Sequence, residues 1–137
     1  MSEPPDFPVP LDQTLDGVLG FETLEVTPER ARSRAPVVTK LKQPYGLVHG
    51  GVYAAMAESI ASQATATAVY ADGNIAVGLS NHTSFMRPVL TGHVNADARR
   101  VHRGSTTWVW EVELTDDDGR LCALSRVTMA VRPARDR

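Results

Sequence analysis

Between Lys42 and Asp72 the chain carries one charged residue, Glu58. Around it stand Ala54, Ala55, Ala57, Ala61, Ser62 and Ala64, a composition that predicts a helix. A carboxylate rarely enters so charge-poor a helix unless it is paired or functional, and no Lys or Arg lies three or four residues away to pair with it. Helical spacing places Ala54, Glu58 and Ser62 on one face with Gly51 close to the same line, so that a hydroxyl one turn on could orient a water. At the start of the stretch stands His49-Gly50-Gly51. Paired glycines leave backbone N–H groups bare. The first N–H groups of a helix lack internal partners and sit at the positive end of its dipole. One helix therefore offers oxyanion donors at its start and a carboxylate two turns later. That combination suits attack on a carbonyl or thioester: the donors polarise C=O while Glu58 attacks or activates water.

Plainer readings stand beside these. Glu58 could lie on a solvated stripe or meet a distant arginine, His49 could be a simple cap or a packed histidine, and Gly50-Gly51 a plain loop-to-helix transition. The remaining histidines, His82, His93 and His102, show no metal-ligand spacing, and no metal site is expected. The serine-hydrolase elbow, the Walker A loop and G-x-G-x-x-G are absent. Cys122 reads as a buried structural thiol.

These residues need a scaffold to position them. With 137 residues, 42% hydrophobic, the chain fits one domain with a core of its own. One cysteine excludes an internal disulfide framework and a Cys₄ or Cys₂His₂ zinc site. A net charge of −2 argues against a nucleic-acid binder. Residues 1–10, MSEPPDFPVP, lack the features of a signal peptide, and no apolar run is long enough to span a membrane. The chain thus reads as cytoplasmic, with no membrane partner.

Residues 1–10 are expected to form a Pro-rich arm and residues 134–137 a short polar tail, with one domain over 11–133. Residues 11–18 could form a short helix; 20–26 and 30–39 alternate as strands, with Arg30, Arg32 and Arg34 opposite Ala31, Ser33 and Ala35. Pro36 suggests an edge or a bulge. Residues 41–48 read as a loop and 50–69, with seven alanines, as the long helix, closed by a turn at Asp72-Gly73. Strands follow at 75–86, 93–102, 106–114 and 121–131. In the third, Trp108, Trp110, Val112 and Leu114 face one way. The prediction is an α+β fold, one long central helix wrapped by an antiparallel sheet.

The segment QPYGLVHGGVYAAMAESIAS, residues 43–62, resembles the glutamate-dependent branch of the hotdog-fold acyl-CoA thioesterases. The likeness continues through GLSNHTSFMRP (78–88) and RRVHRGSTTWVWEVELTDDDGRLCALSRVTMAV (99–131). It implies that Glu58 is the catalytic carboxylate, as base or nucleophile, and that the Gly50 N–H polarises the thioester C=O. Gln43 then stands at the acyl site, His49 positions the thioester and Ser62 orients water. Gly51 falls beside Gly50 in the substrate-binding segment. Arg103, Gly104, Ser105 and Thr106 fall where the family contacts the phosphates and pantetheine of coenzyme A. No cofactor is implied beyond coenzyme A as part of the substrate. The resemblance also implies a homodimer joined edge to edge with the acyl pocket between subunits, pairing again into a dimer of dimers. Phe85 departs from the polar histidine of the naphthoyl-CoA enzymes and Gln63 from a usual apolar residue, so the acyl pocket differs. The expected activity is hydrolysis of an aromatic or medium-sized acyl-CoA. A hotdog hydratase or dehydratase and a non-catalytic acyl-CoA-binding module are the competing readings.

Overall fold

A computed structural model describes residues 7–135. Of the Pro-rich arm, residues 1–6 lie outside the described residues, as do 136–137 of the tail. A 3-10 turn over Leu11–Gln13 leads into α1 (Leu15–Leu19), followed by β1 (Glu22–Val26) and β2 (Arg30–Pro36). The long helix α2 spans Gly50–Val69, the range its alanine content predicts. It is followed by β3 (Asn74–Phe85), β4 (His93–Arg103), β5 (Thr107–Thr115) and β6 (Leu121–Pro133). The strands form one antiparallel sheet in the order β1-β2-β4-β5-β6-β3. Helix α2 lies across one face of it, the hotdog arrangement the sequence motifs imply.

Local chemistry sets the ends of α2. His49, in extended conformation, caps the start by accepting the Gly51 N–H on Nδ1 at 2.8 Å. At the far end the chain turns through Tyr70–Asp72 into Gly73 at φ +75°, left-handed backbone that glycine adopts without strain. Ala57, Ala61 and Ala64 are buried along the helix and let it approach the sheet closely, with Met56 and Ile60 filling the wider gaps.

The sheet keeps the predicted alternation. Trp108, Trp110, Val112 and Leu114 of β5 are all buried beneath α2, as are Ala31, Ser33 and Ala35 of β2. The opposite side of β2 carries ion pairs: Arg30 to Asp97 at 2.8 Å, Arg32 to Glu25 at 2.8 Å and Arg34 to Glu22 at 2.9 Å. The Arg30 guanidinium holds the Asp97 carboxyl below the usual carboxylate range. Pro36 closes β2 beyond the last β1 pair, where no N–H is demanded of it.

One buried polar contact joins helix to sheet. The Trp110 Nε1–H donates to Thr65 Oγ1 at 2.9 Å, and that hydroxyl donates to the Ala61 carbonyl at 2.8 Å. Thr65→Val keeps the shape and orphans the indole N–H in the core. The expected cost is about 1–3 kcal/mol, read as a lower midpoint in thermal or urea unfolding. An unchanged midpoint would show that the contact contributes nothing net.

Candidate active site

Glu58 stands on the exposed flank of α2, two turns in from the helix start. Among the described residues it makes no ion pair, so the distant arginine that would neutralise it is absent. Its carboxyl lies over Gly78 of β3, where an added Cβ would stand 3.4 Å from Cδ. It opens onto two clefts. One, of about 510 Å³, lies between α2 and β3 and is lined by Ala54, Ala55, Asn81, Thr83 and Phe85 together with Glu58. The other, of about 850 Å³, runs between α2 and the N-terminal segment, with Ser62 and Gln63 along its helical wall. Leu15 and Ser59 belong to both.

The start of α2 divides its donors unequally. The Gly51 N–H is taken by His49 Nδ1, and the Val52 N–H donates to the His49 carbonyl at 2.9 Å. Among the described residues the Gly50 N–H has no acceptor, which makes it the bare donor at the positive end of the helix. Phe85 is half-exposed and lies against Gly50: an added Cβ there would meet the ring at 3.0 Å. Glycine at position 50 thus admits the ring as well as leaving the amide accessible. Phe85 is therefore a wall of the cleft, with Tyr53 behind it at 6.1 Å between ring centroids.

The remaining expected site residues are spread along the molecule. Gln43 sits in the loop before α2, its side-chain oxygen accepting the Tyr45 N–H and its own N–H donating to the Leu47 carbonyl at 2.8 Å. Neither Gln43 nor His49 lines the clefts at Glu58. Ser62 lines the larger cleft one turn beyond Glu58. Arg103, Gly104, Ser105 and Thr106 form the β4–β5 hairpin, closed by Gly104 N–H to the Thr107 carbonyl at 2.8 Å. Arg103 and Arg100 stack over Trp108 at 4.9 and 5.1 Å. This hairpin adjoins Val131 near the end of α2 that Gly73 closes, not the Gly50 end.

Several contacts at the site had no signal in the sequence. Asn81 Nδ2 donates to the Ala54 carbonyl at 2.8 Å, clamping β3 to α2 one turn before Glu58. Its oxygen is held by Thr83 Oγ1 at 2.7 Å, and Ser125 bonds both. A bulge between Gly78 and Ser80 explains why these residues were missed. Before it Asn74 and Ala76 are the half-buried residues; after it Asn81 and Thr83 are, so simple alternation assigns half of β3 to the wrong side. Gln63, unusual as a polar residue, accepts a hydrogen bond from Thr23 at 2.8 Å and ties α2 to β1. Cys122 is fully buried, and burial pushes its thiol up, as suits a structural residue.

The domain thus combines a hotdog fold with an exposed carboxylate on its central helix and a bare N–H at the start of that helix. The thioesterase superfamily matches residues 45–123, and the chain belongs to that family. The 1,4-dihydroxy-2-naphthoyl-CoA hydrolase of Escherichia coli (strain K12) is 37% identical over 113 residues, 82% of this chain and 77% of that protein. The Rv1847 protein of Mycobacterium tuberculosis is 40% identical over 139 residues, 98% of this chain and 99% of its own length. Among solved structures, a single-residue mutant of thioesterase PA1618 from Pseudomonas aeruginosa superposes with a TM-score of 0.86 at 34% identity. It covers 90% of this chain and 88% of its own.

Proposed function

We propose that the protein hydrolyses an aromatic or medium-sized acyl-CoA to the free acid and coenzyme A. The observation that carries this reading is Glu58, a carboxylate with no ion-pair partner among the described residues, at the junction of two clefts in a thioesterase fold. Its oxygen either takes a proton from water, which adds to the acyl carbon, or attacks that carbon itself to form an anhydride that water then opens. In both routes the C–S bond breaks and the sulfur leaves as a thiolate that accepts the proton. The bare Gly50 N–H holds the carbonyl oxygen as negative charge develops on it. Ser62 orients the water, and Gln43 and His49 position the thioester.

The same geometry favours a site shared by two copies. Gly50 and Glu58 are eight residues apart, about 12 Å along the axis, and helical N–H groups point toward the helix start, away from Glu58. Phe85 lines the cleft in front of Glu58 and lies against the side of Gly50, leaving its N–H open. In this reading one thioester lies between Glu58 of one protomer and the helix start of its partner. The Arg103–Thr106 hairpin, remote from the carbonyl donor of its own chain, then meets the coenzyme A. Strand β3 is an outer strand of the sheet, twelve residues long, with Ile75, Val77 and Leu79 exposed. Long apolar edges invite pairing, which supports an edge-to-edge homodimer, with a dimer of dimers as the larger assembly. The E. coli relative's name points to a bicyclic aromatic acyl group. Phe85 replaces polarity with an aromatic wall, so an apolar aromatic ring suits this cleft better than a hydroxylated one.

The test is a panel of benzoyl-, phenylacetyl-, naphthoyl- and straight-chain acyl-CoAs with free-thiol detection. Thiol release on the aromatic or medium-chain members, without hydration of an enoyl-CoA, is the expected result. Tight binding without turnover on every member would overturn it.

A further inference from the structure

No hydrogen bond or ion pair among the described residues grips the Glu58 carboxyl. Its side chain rests instead on Gly78 of β3. A Cβ added at Gly78 would stand 3.4 Å from Glu58 Cδ, 3.5 Å from Oε2 and 3.7 Å from Cγ, so bare backbone forms the floor under the carboxylate. The place of that carboxylate therefore depends on how far α2 stands from β3 at this turn.

Among the described residues one hydrogen bond joins α2 to β3, and it lies at this turn. Asn81 Nδ2 donates to the Ala54 carbonyl at 2.8 Å, the carbonyl that helical geometry also offers to the Glu58 N–H. The amide has one orientation open to it. A carbonyl can only accept, so nitrogen must meet Ala54. Oδ1 is left to accept from Thr83 Oγ1 at 2.7 Å and Ser125 Oγ at 3.2 Å. Thr83 uses its one proton on Asn81, so Ser125 donates in the 2.8 Å contact between the two hydroxyls. The donors thus run in one direction, from Ser125 through Thr83 and Asn81 to Ala54, and such bonds polarise one another. The buried Ser125 anchors the run in the core. The bulge between Gly78 and Ser80 puts both parts on one strand, with the floor of Glu58 before it and the half-buried Asn81 and Thr83 after it.

We infer that Asn81 is a positioning residue. By tying Ala54 to β3 it fixes the gap across which Glu58 reaches Gly78, and with it the place of the oxygen that attacks or takes a proton. The inference rests on the thioesterase reading with Glu58 as its carboxylate, and adds a residue to which the sequence assigned no role. Reacting groups must be held to within about 0.5 Å, and an error near 1 Å can cost about 100-fold in rate. A carboxylate with no partner of its own draws that precision from the backbone on either side of it.

Asn81→Leu removes the donor and keeps the branched shape. Thr83 and Ser125 retain each other, and Ala54 retains its helical bond, so the fold is expected to survive. Asn81→Ala is the second variant, which cannot overpack. In both, kcat for thiol release on the best substrate should fall at least about tenfold with KM within about threefold of wild type, the pattern of an interaction that serves the transition state. Thr65→Val, which lowers the thermal midpoint from within the core, is the stability control and should leave kcat unchanged. The measurement that separates positioning from general support repeats Asn81→Leu in the Glu58→Gln background. A residue that works through the carboxylate has nothing left to position there, so the double variant should match Glu58→Gln within about twofold. An equal fold-loss in both backgrounds would overturn the inference. So would kcat near that of wild type in the folded single variants, or a rise in KM alone, which would make Asn81 a substrate contact. Each of these leaves the thioesterase reading intact as long as wild type hydrolyses the panel. If wild type hydrolyses no member of it, that reading fails and the positioning role falls with it.

Discussion

Glu58→Gln should lower kcat for acyl-CoA hydrolysis by about 100-fold or more, the usual scale for loss of a general base or nucleophile. Glutamine matches glutamate in shape but can neither take a proton from water nor attack a carbonyl. The fold should be indifferent to the change. Glu58 is exposed, and no hydrogen bond or ion pair among the described residues involves it, so stability should move by no more than about 0.5 kcal/mol. The measurement is steady-state thiol release on the best substrate of the panel, with the thermal midpoint as control. Turnover within about threefold of wild type in a folded variant would remove Glu58 from the chemistry. Single-turnover hydrolysis in ¹⁸O-water then tests the anhydride route: label entering Glu58 supports it.

Combining two inactive variants should restore activity. Gly50→Pro deletes the one N–H assigned to the oxyanion, at the helix position where proline is best tolerated. His49 already has the extended backbone that a following proline requires. Both Gly50→Pro and Gly50→Ala place a Cβ against the Phe85 ring, so alanine is the control that keeps the N–H and shares the crowding. The proline variant is expected to lose about 100-fold in kcat beyond the alanine variant, as loss of an oxyanion donor does. Gly50→Pro and Glu58→Gln are then co-expressed in equal amounts. If each site takes Gly50 from one copy and Glu58 from another, random assembly leaves about a quarter of the sites intact, far above either parent. If each site lies within one chain, no copy holds both groups and activity stays at the parental floor. The comparison therefore decides whether the active site is shared, independently of the acyl group.

The elements that were legible in the sequence are those with one dominant periodicity. Helix α2 was readable over 50–69 because seven alanines and a capping His-Gly-Gly leave little choice of conformation. The inward row of Trp108, Trp110, Val112 and Leu114 was readable because strict alternation on β5 admits one buried face. Glu58 stood out because a lone charge in an apolar helix needs a reason. Strand β3 was legible as a strand but not in its facing, since the bulge after Gly78 reverses which side chains meet the helix.

By itself, the sequence determined the fold class, the central helix and the carboxylate, because each follows from interactions within a few residues. Tertiary structure alone decided what surrounds that carboxylate. Asn81 bonded to Ala54, Asp16 bonded to Ser59 and Phe85 laid against Gly50 join residues 27 to 43 positions apart. It decided as well that Gly50 is the free donor and Gly51 is not, and that an N-terminal segment with no motif walls the cleft at Glu58. The physical reason is common to all of these. Local composition sets a backbone's period, but which side chains meet across a cleft depends on strand order, register and a single inserted residue.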